Sequence, residues 1–135
     1  MSTINLKSRA PDYSDLDLDF IRKPGTGDIS KKISEDAIKR SIRNLVLTNF
    51  YERPFRSFIG SNVQKLLFEN MSSFTAQLII NAVKEVLDNF EPRCRVLDIA
   101  CGVNFDNNGY DLTIRFTPVS RLEPTITNIF LERIR

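Results

Sequence analysis

The sequence predicts an α+β fold, in which helices are followed by a three-stranded antiparallel meander and preceded by an extended N-terminal arm. Three observations carry this. Leu78, Ile79, Ala82, Val83, Val86, Leu87 and Phe90 form an unbroken helical stripe that stops at Glu91-Pro92. Beyond Pro92 the apolar period changes from 3.6 to two. Between two alternating runs, Asp106-Asn107-Asn108-Gly109 carries the Asn-Gly hairpin signal.

With 135 residues there is room for one globular domain, read as an arm over 1–30 and a domain over 31–135. In the arm, Asp15-Leu16-Asp17-Leu18-Asp19-Phe20 alternates acid with apolar, so a short strand is expected to bury Leu16, Leu18 and Phe20 on one side. Lys23 to Asp28 breaks it. Its Gly25-Thr26-Gly27 lacks the spacing and the Lys-Ser/Thr of a phosphate loop and reads as a turn.

Ser34-Glu35-Asp36 marks a helix start, a hydroxyl followed by acids that suit the dipole. Ile38, Ile42, Leu45 and Val46 then give a helix over 35–48, with Lys39, Arg40 and Arg43 facing away. Arg53-Pro54-Phe55 to Gly60-Ser61 is a loop, and Val63, Leu66 and Leu67 predict a short helix over 62–69. Ser72 or Ser73 caps the main helix, which ends by Glu91 because proline disfavours helical geometry before it.

Leu97, Ile99, Cys101 and Val103 form one face of the first strand. Tyr110, Leu112, Ile114 and Phe116 line a second, opposite Asp111, Thr113 and Arg115, and Pro118 ends it or places it at an edge. After a turn at Glu123-Pro124, a third strand over 125–134 has Ile126, Phe130 and Ile134 on one face and Ile129 and Leu131 on the other.

Composition narrows the function. A net charge of +2, from 19 basic and 17 acidic residues, gives no field for nucleic acid or a membrane surface. No apolar stretch approaches the ~20 residues that span a bilayer, and the N-terminus has no signal-peptide core, so synthesis in a cytoplasm is expected. Histidine is absent, which removes the commonest general base and metal ligand. Cys94 and Cys101 fall in one strand, on opposite faces and about 23 Å apart, beyond disulfide reach. Both read as reduced packing residues, and no metal or cofactor is expected.

The corner at Asn89-Phe90-Glu91-Pro92-Arg93 is chemically odd. A Glu at a helix C-terminus meets the negative end of the dipole. An extended Pro92 would put Glu91 and Arg93 on one side, roughly 6–7 Å apart at Cα, as a charged fork. Taken alone this is a solvated helix stop whose ion pair is worth ~0–1 kcal/mol.

Arg53-Pro54-Phe55-Arg56, Gly60-Ser61, Leu66-Leu67-Phe68-Glu69 and Phe90-Glu91-Pro92-Arg93, in that order, resemble the sheath-initiator family of baseplate wedge proteins in contractile phage tails. That family is shared with type VI secretion baseplates and often carries a lysozyme-like label. The resemblance covers roughly residues 36 to 120. Two positions depart from its pattern: Ile59 replaces an aromatic before the glycine, and Tyr51 replaces a glycine before Glu-Arg-Pro.

The resemblance implies a structural protein of a virion tail baseplate, present in repeated copies, whose sheet meets arms of the tail sheath protein. It also implies that Glu91, Pro92 and Arg93 contact other wedge subunits at the wedge core. The third strand is apolar on both faces, interrupted only by Glu132 and Arg133 near its end, and is expected to accept a sheath strand through Thr125, Thr127, Ile129 and Leu131. The competing reading is a peptidoglycan-degrading enzyme, in which Glu69 is the acid and Glu91 or Asp98 its partner, about 5–9.5 Å away. No spacing in the chain shows such a pair facing a cleft, so no enzyme is expected. A regulatory protein-binding module on the same fold is the third reading.

Overall fold

The computed structural model describes residues 14–133 except 18 and 30. The chain forms two compact units, Met1–Ala37 and Ile38–Arg135.

In the first unit, β1 (Ser14–Leu16) pairs antiparallel with β2 (Lys31–Ile33), with Asp15 opposite Lys32. An isolated bridge joins Arg22 to Ile29, and the turn between them is closed by Lys23 N–H donating to the Asp28 carbonyl at 2.9 Å. The expected burial of the alternating run is inverted. Leu16 and Phe20 are exposed, Asp17 is buried, and Leu18 lies outside the described residues. The strand stops at Leu16 because Asp17 starts a turn: its carbonyl accepts Phe20 N–H and its Oδ1 accepts Asp19 N–H.

α1 (Glu35–Leu47) carries Glu35 and Asp36 in its first turn and buries Ile38, Ile42, Leu45 and Val46. Ser34 precedes it in the left-handed region, at φ 52°. A long loop leads to α2 (Val63–Leu66), which closes with tight bonds from Phe68 N–H to Lys65 and Glu69 N–H to Leu66. α3 (Ser73–Phe90) starts at Ser72, whose Oγ accepts Thr75 N–H at 3.1 Å. It buries Ile79, Val83, Val86 and Leu87, the stripe read from the sequence, and packs on the sheet at β3.

The sheet is an antiparallel meander in the order β3 (Cys94–Asn104), β4 (Gly109–Pro118), β5 (Thr125–Glu132). In the centre, β4 buries Tyr110, Leu112, Ile114 and Phe116 and exposes Asp111 and Arg115. Each such apolar side chain contributes about 1.5–3 kcal/mol by leaving water.

β3 departs from the expected alternation. The register slips between Val96 and Asp98, opposite Phe116 and Arg115, so Leu97 is the extra residue of a bulge and stands exposed. The slip reverses parity. Cys94 and Val96 on one side of it, and Ile99, Cys101 and Val103 on the other, all pair with inward residues of β4. The two thiols therefore share one face instead of opposing each other, and both are free. Burial, with nearby carboxylates, pushes Cys94 up to about 12 and Cys101 up to about 11.

β5 resolves its ambiguous faces. Thr125, Ile129 and Leu131 are buried, while Ile126, Asn128 and Phe130 are exposed; Ile134 lies outside the described residues.

Candidate partner-binding site

The end of α3 is a junction of four segments. Glu91 N–H closes the helix on the Leu87 carbonyl at 3.0 Å, and Glu91 then turns to φ −123°, ψ 79°. Its carboxylate is gripped from two directions. Arg93 Nε donates to Oε1 at 2.7 Å and Nη2 to Oε2 at 3.1 Å, while the Ser41 hydroxyl of α1 donates to Oε2. Cys94 Sγ lies 3.9 Å from the Glu91 carbonyl, and Val119 N–H, just past β4, donates to the Arg93 carbonyl at 2.9 Å.

The fork exists, but it is not displayed as expected. The Glu91 side chain is 2% exposed and that of Arg93 23%, so the carboxylate is an internal tie between α1, α3 and β3. Arg93 supplies the positive charge that offsets the repulsion between the Glu91 carboxylate and the negative end of the helix dipole, in a bidentate geometry. Of the three corner residues, Pro92 and the outer part of Arg93 reach solvent. The reading of this pair as a weak, solvated one is corrected by the Ser41 contact, which comes from 50 residues away and left no mark on the local sequence.

Among the described residues β5 has one neighbour, β4. The Arg133 N–H to Asn108 carbonyl bond sets the phase of the ladder, and Tyr110↔Leu131, Leu112↔Ile129, Ile114↔Thr127 and Phe116↔Thr125 keep it. Thr125, Thr127, Ile129 and Leu131 thus turn their main-chain groups toward β4. Those of Ile126, Asn128, Phe130 and Glu132 point outward. A strand added at this edge would bond to the second set, and the exposed Ile126 and Phe130 flank it.

The loop before α2 is pinned where the chain doubles back. Gly60 passes so close to the Asn49–Phe50 peptide that a Cβ would lie 2.5 Å from its carbon and nitrogen. Only glycine fits there. Ser61 N–H donates to the Thr48 carbonyl at 2.8 Å, and its buried hydroxyl donates to the Val46 carbonyl at 2.8 Å, closing the end of α1. Tyr51 sits at φ 66°, which explains why a glycine suits that position.

The candidate carboxylates are not assembled into a cleft. Glu69 and Asp98 are exposed, and Glu91 is held by Arg93 and Ser41. Two cavities flank the loop, one floored by Phe50, Ala82, Val86 and Phe90, the other by Phe50, Tyr51 and Phe68; between them they hold one carboxylate, Glu85. No group of three or more Cys, Asp or Glu able to hold a metal occurs among the described residues.

Among the described residues the sheet ends at β5, the corner is tied internally and the loop before α2 projects into solvent. The chain belongs to the family described as baseplate wedge protein gp25, whose model matches residues 33–122. It is 28% identical over 107 residues to the baseplate wedge protein gp25 of Enterobacteria phage T4, covering 79% of this chain and 80% of that protein. A solved structure described as a putative tail lysozyme from Geobacter sulfurreducens has a TM-score of 0.63 at 26% identity, covering 73% of this chain and 91% of that one. A chain of the anti-feeding prophage baseplate shares the fold, with a TM-score of 0.62 at 24% identity, covering 90% and 87% of the two chains.

Proposed function

We propose that this chain is a structural subunit of a contractile tail baseplate, repeated around the particle, that templates the first sheath ring by strand addition at β5. The observation that carries this is the outward ladder of Ile126, Asn128, Phe130 and Glu132 on a strand with one described neighbour. Main-chain bonds would give affinity, and the exposed Ile126 and Phe130 would fix register. The corner seats the protein on the wedge core through Pro92 and the outer face of Arg93, with Glu91 holding the arginine in place.

Asn128→Pro tests the edge. It removes an outward donor and leaves the bonds to β4 intact, so the protein should fold and baseplates should form without extended sheath. Normal sheaths on such baseplates would show that β5 is not the template.

The family's lysozyme-like label makes wall degradation the rival reading. Glycoside hydrolysis commonly uses two carboxylates about 5–9.5 Å apart across a sugar site. The exposed Glu69 and the engaged Glu91 do not support that chemistry. Purified protein is expected to leave peptidoglycan suspensions turbid. Clearance that disappears in Glu69→Gln would reverse this reading.

A further inference from the structure

We propose that the loop between α1 and α2 is a separate contact surface that takes an acidic segment of another subunit of the assembly. This rests on the baseplate reading and adds a partner chemistry to it.

The loop is rigid at its base and displays its tip. Beyond the Gly60 and Ser61 contacts, Tyr51 N–H donates to the Ser57 carbonyl at 2.8 Å. The Phe58 ring lies 6.3 Å from that of Phe90, which joins the loop to the end of α3. From this base Phe55 projects at 104% relative exposure and φ 65°, a left-handed conformation rarely adopted by an aromatic residue. Tyr51 is likewise exposed in the left-handed region. A fully solvated phenylalanine contributes nothing to this fold, so the backbone strain that presents it has no intramolecular return.

The charges around it select the partner. Arg53 and Arg56 lie close to Phe55 in the loop, and Lys65 lines a cavity together with Tyr51 and Phe68. None of these three cationic side chains has a hydrogen bond or ion pair among the described residues. The one acid in the loop, Glu52, accepts the Asn49 N–H at 2.8 Å and offsets one of the two arginines, which leaves the loop with a net positive charge. Arginine beside exposed aromatics is the composition of an interface hot spot, and its planar donors match carboxylates.

The alternatives fit less well. A strand of nucleic acid needs a basic groove tracking several phosphates, whereas this chain carries 17 acids against 19 bases. A second copy would have to offer its own acidic run, but there Asp17 is buried and Asp15 and Asp19 are engaged within the chain.

The test uses assembled particles. Arg53→Gln/Arg56→Gln should unfold at the wild-type temperature, since both side chains are exposed, yet enter baseplates at least about tenfold less well in competition with wild type. A photo-crosslinking phenylalanine analogue at position 55 should join a segment of another subunit that is rich in Asp and Glu. Equal incorporation of the double variant overturns the inference. So does crosslinking to nucleic acid, to a second copy, to a neutral or basic segment, or to nothing. In all of these cases wild-type protein is still found in the particles and the baseplate reading stands; its absence from them would overturn both.

Discussion

At the end of α3 the residue Glu91 is 3% exposed, while on β5 Ile126 is 55% and Phe130 44% exposed. In both places polarity and burial run against expectation, and for opposite reasons. Glu91 is buried because Arg93 and Ser41 complete its hydrogen bonding, which makes it part of the frame. Ile126 and Phe130 are exposed because the other face of β5 already fills the core with Ile129 and Leu131. The corner fixes elements to one another, and the strand leaves a surface over. Charge at the first is structural, and apolar area at the second stands in solvent.

The largest effects should break the corner, and unequally. Arg93→Ala leaves a buried carboxylate with Ser41 alone and should cost about 3–5 kcal/mol in urea unfolding. Glu91→Ala leaves an arginine that is partly solvated and can rehydrate, so about 2–3 kcal/mol is expected. The double variant should cost less than the sum. Costs below about 1 kcal/mol for both single changes would return the corner to a solvated ion pair.

The two faces of β5 provide the next contrast. Leu131→Ala should cost about 3 kcal/mol, as truncation of a buried leucine does, whereas Ile126→Thr on the outer face should stay within about 0.5 kcal/mol. Similar losses at both would mean that the outer face is covered within the chain. Between corner and strand, Gly60→Ala should cost about 2 kcal/mol, because its Cβ would enter the Asn49–Phe50 peptide.

The cysteines report on the inner face of β3. Both thiols hold their proton more tightly folded than unfolded, so their contribution to stability is intact below pH 9 and is lost as pH rises through about 11 and about 12. Alkylation at pH 8 should be slow at both, and about tenfold faster at Cys101 than at Cys94 if thiolate fraction governs it. Fast labelling of Cys94 alone would place it outside the core. The smallest effect is a gain: Tyr51→Gly should stabilise by about 0.5–1 kcal/mol, relieving a positive φ at an exposed residue. A loss there would show that the Tyr51 ring is held by the loop.

The main helix, the Asn-Gly hairpin and the inward face of β4 were legible in the chain itself, because each follows from a period within one element. So was the family, since its motifs keep their order in the sequence. Tertiary structure decided the rest. Leu97, Ile99, Cys101 and Val103 alternate without a break, and the bulge that removes Leu97 from their face appears only in the register against Phe116 and Arg115. Apolar residues on both faces of β5 left its buried side open until pairing with β4 chose Ile129 and Leu131. Glu91 reads locally as a helix end in solvent, and it became internal when Ser41, half a helix into α1, reached its carboxylate. A period records how one element meets a core. Which side of an ambiguous strand is inside, and whether a charge can be buried, depends on partners distant in the chain, whose hydrogen bonds and packing replace the water that was lost.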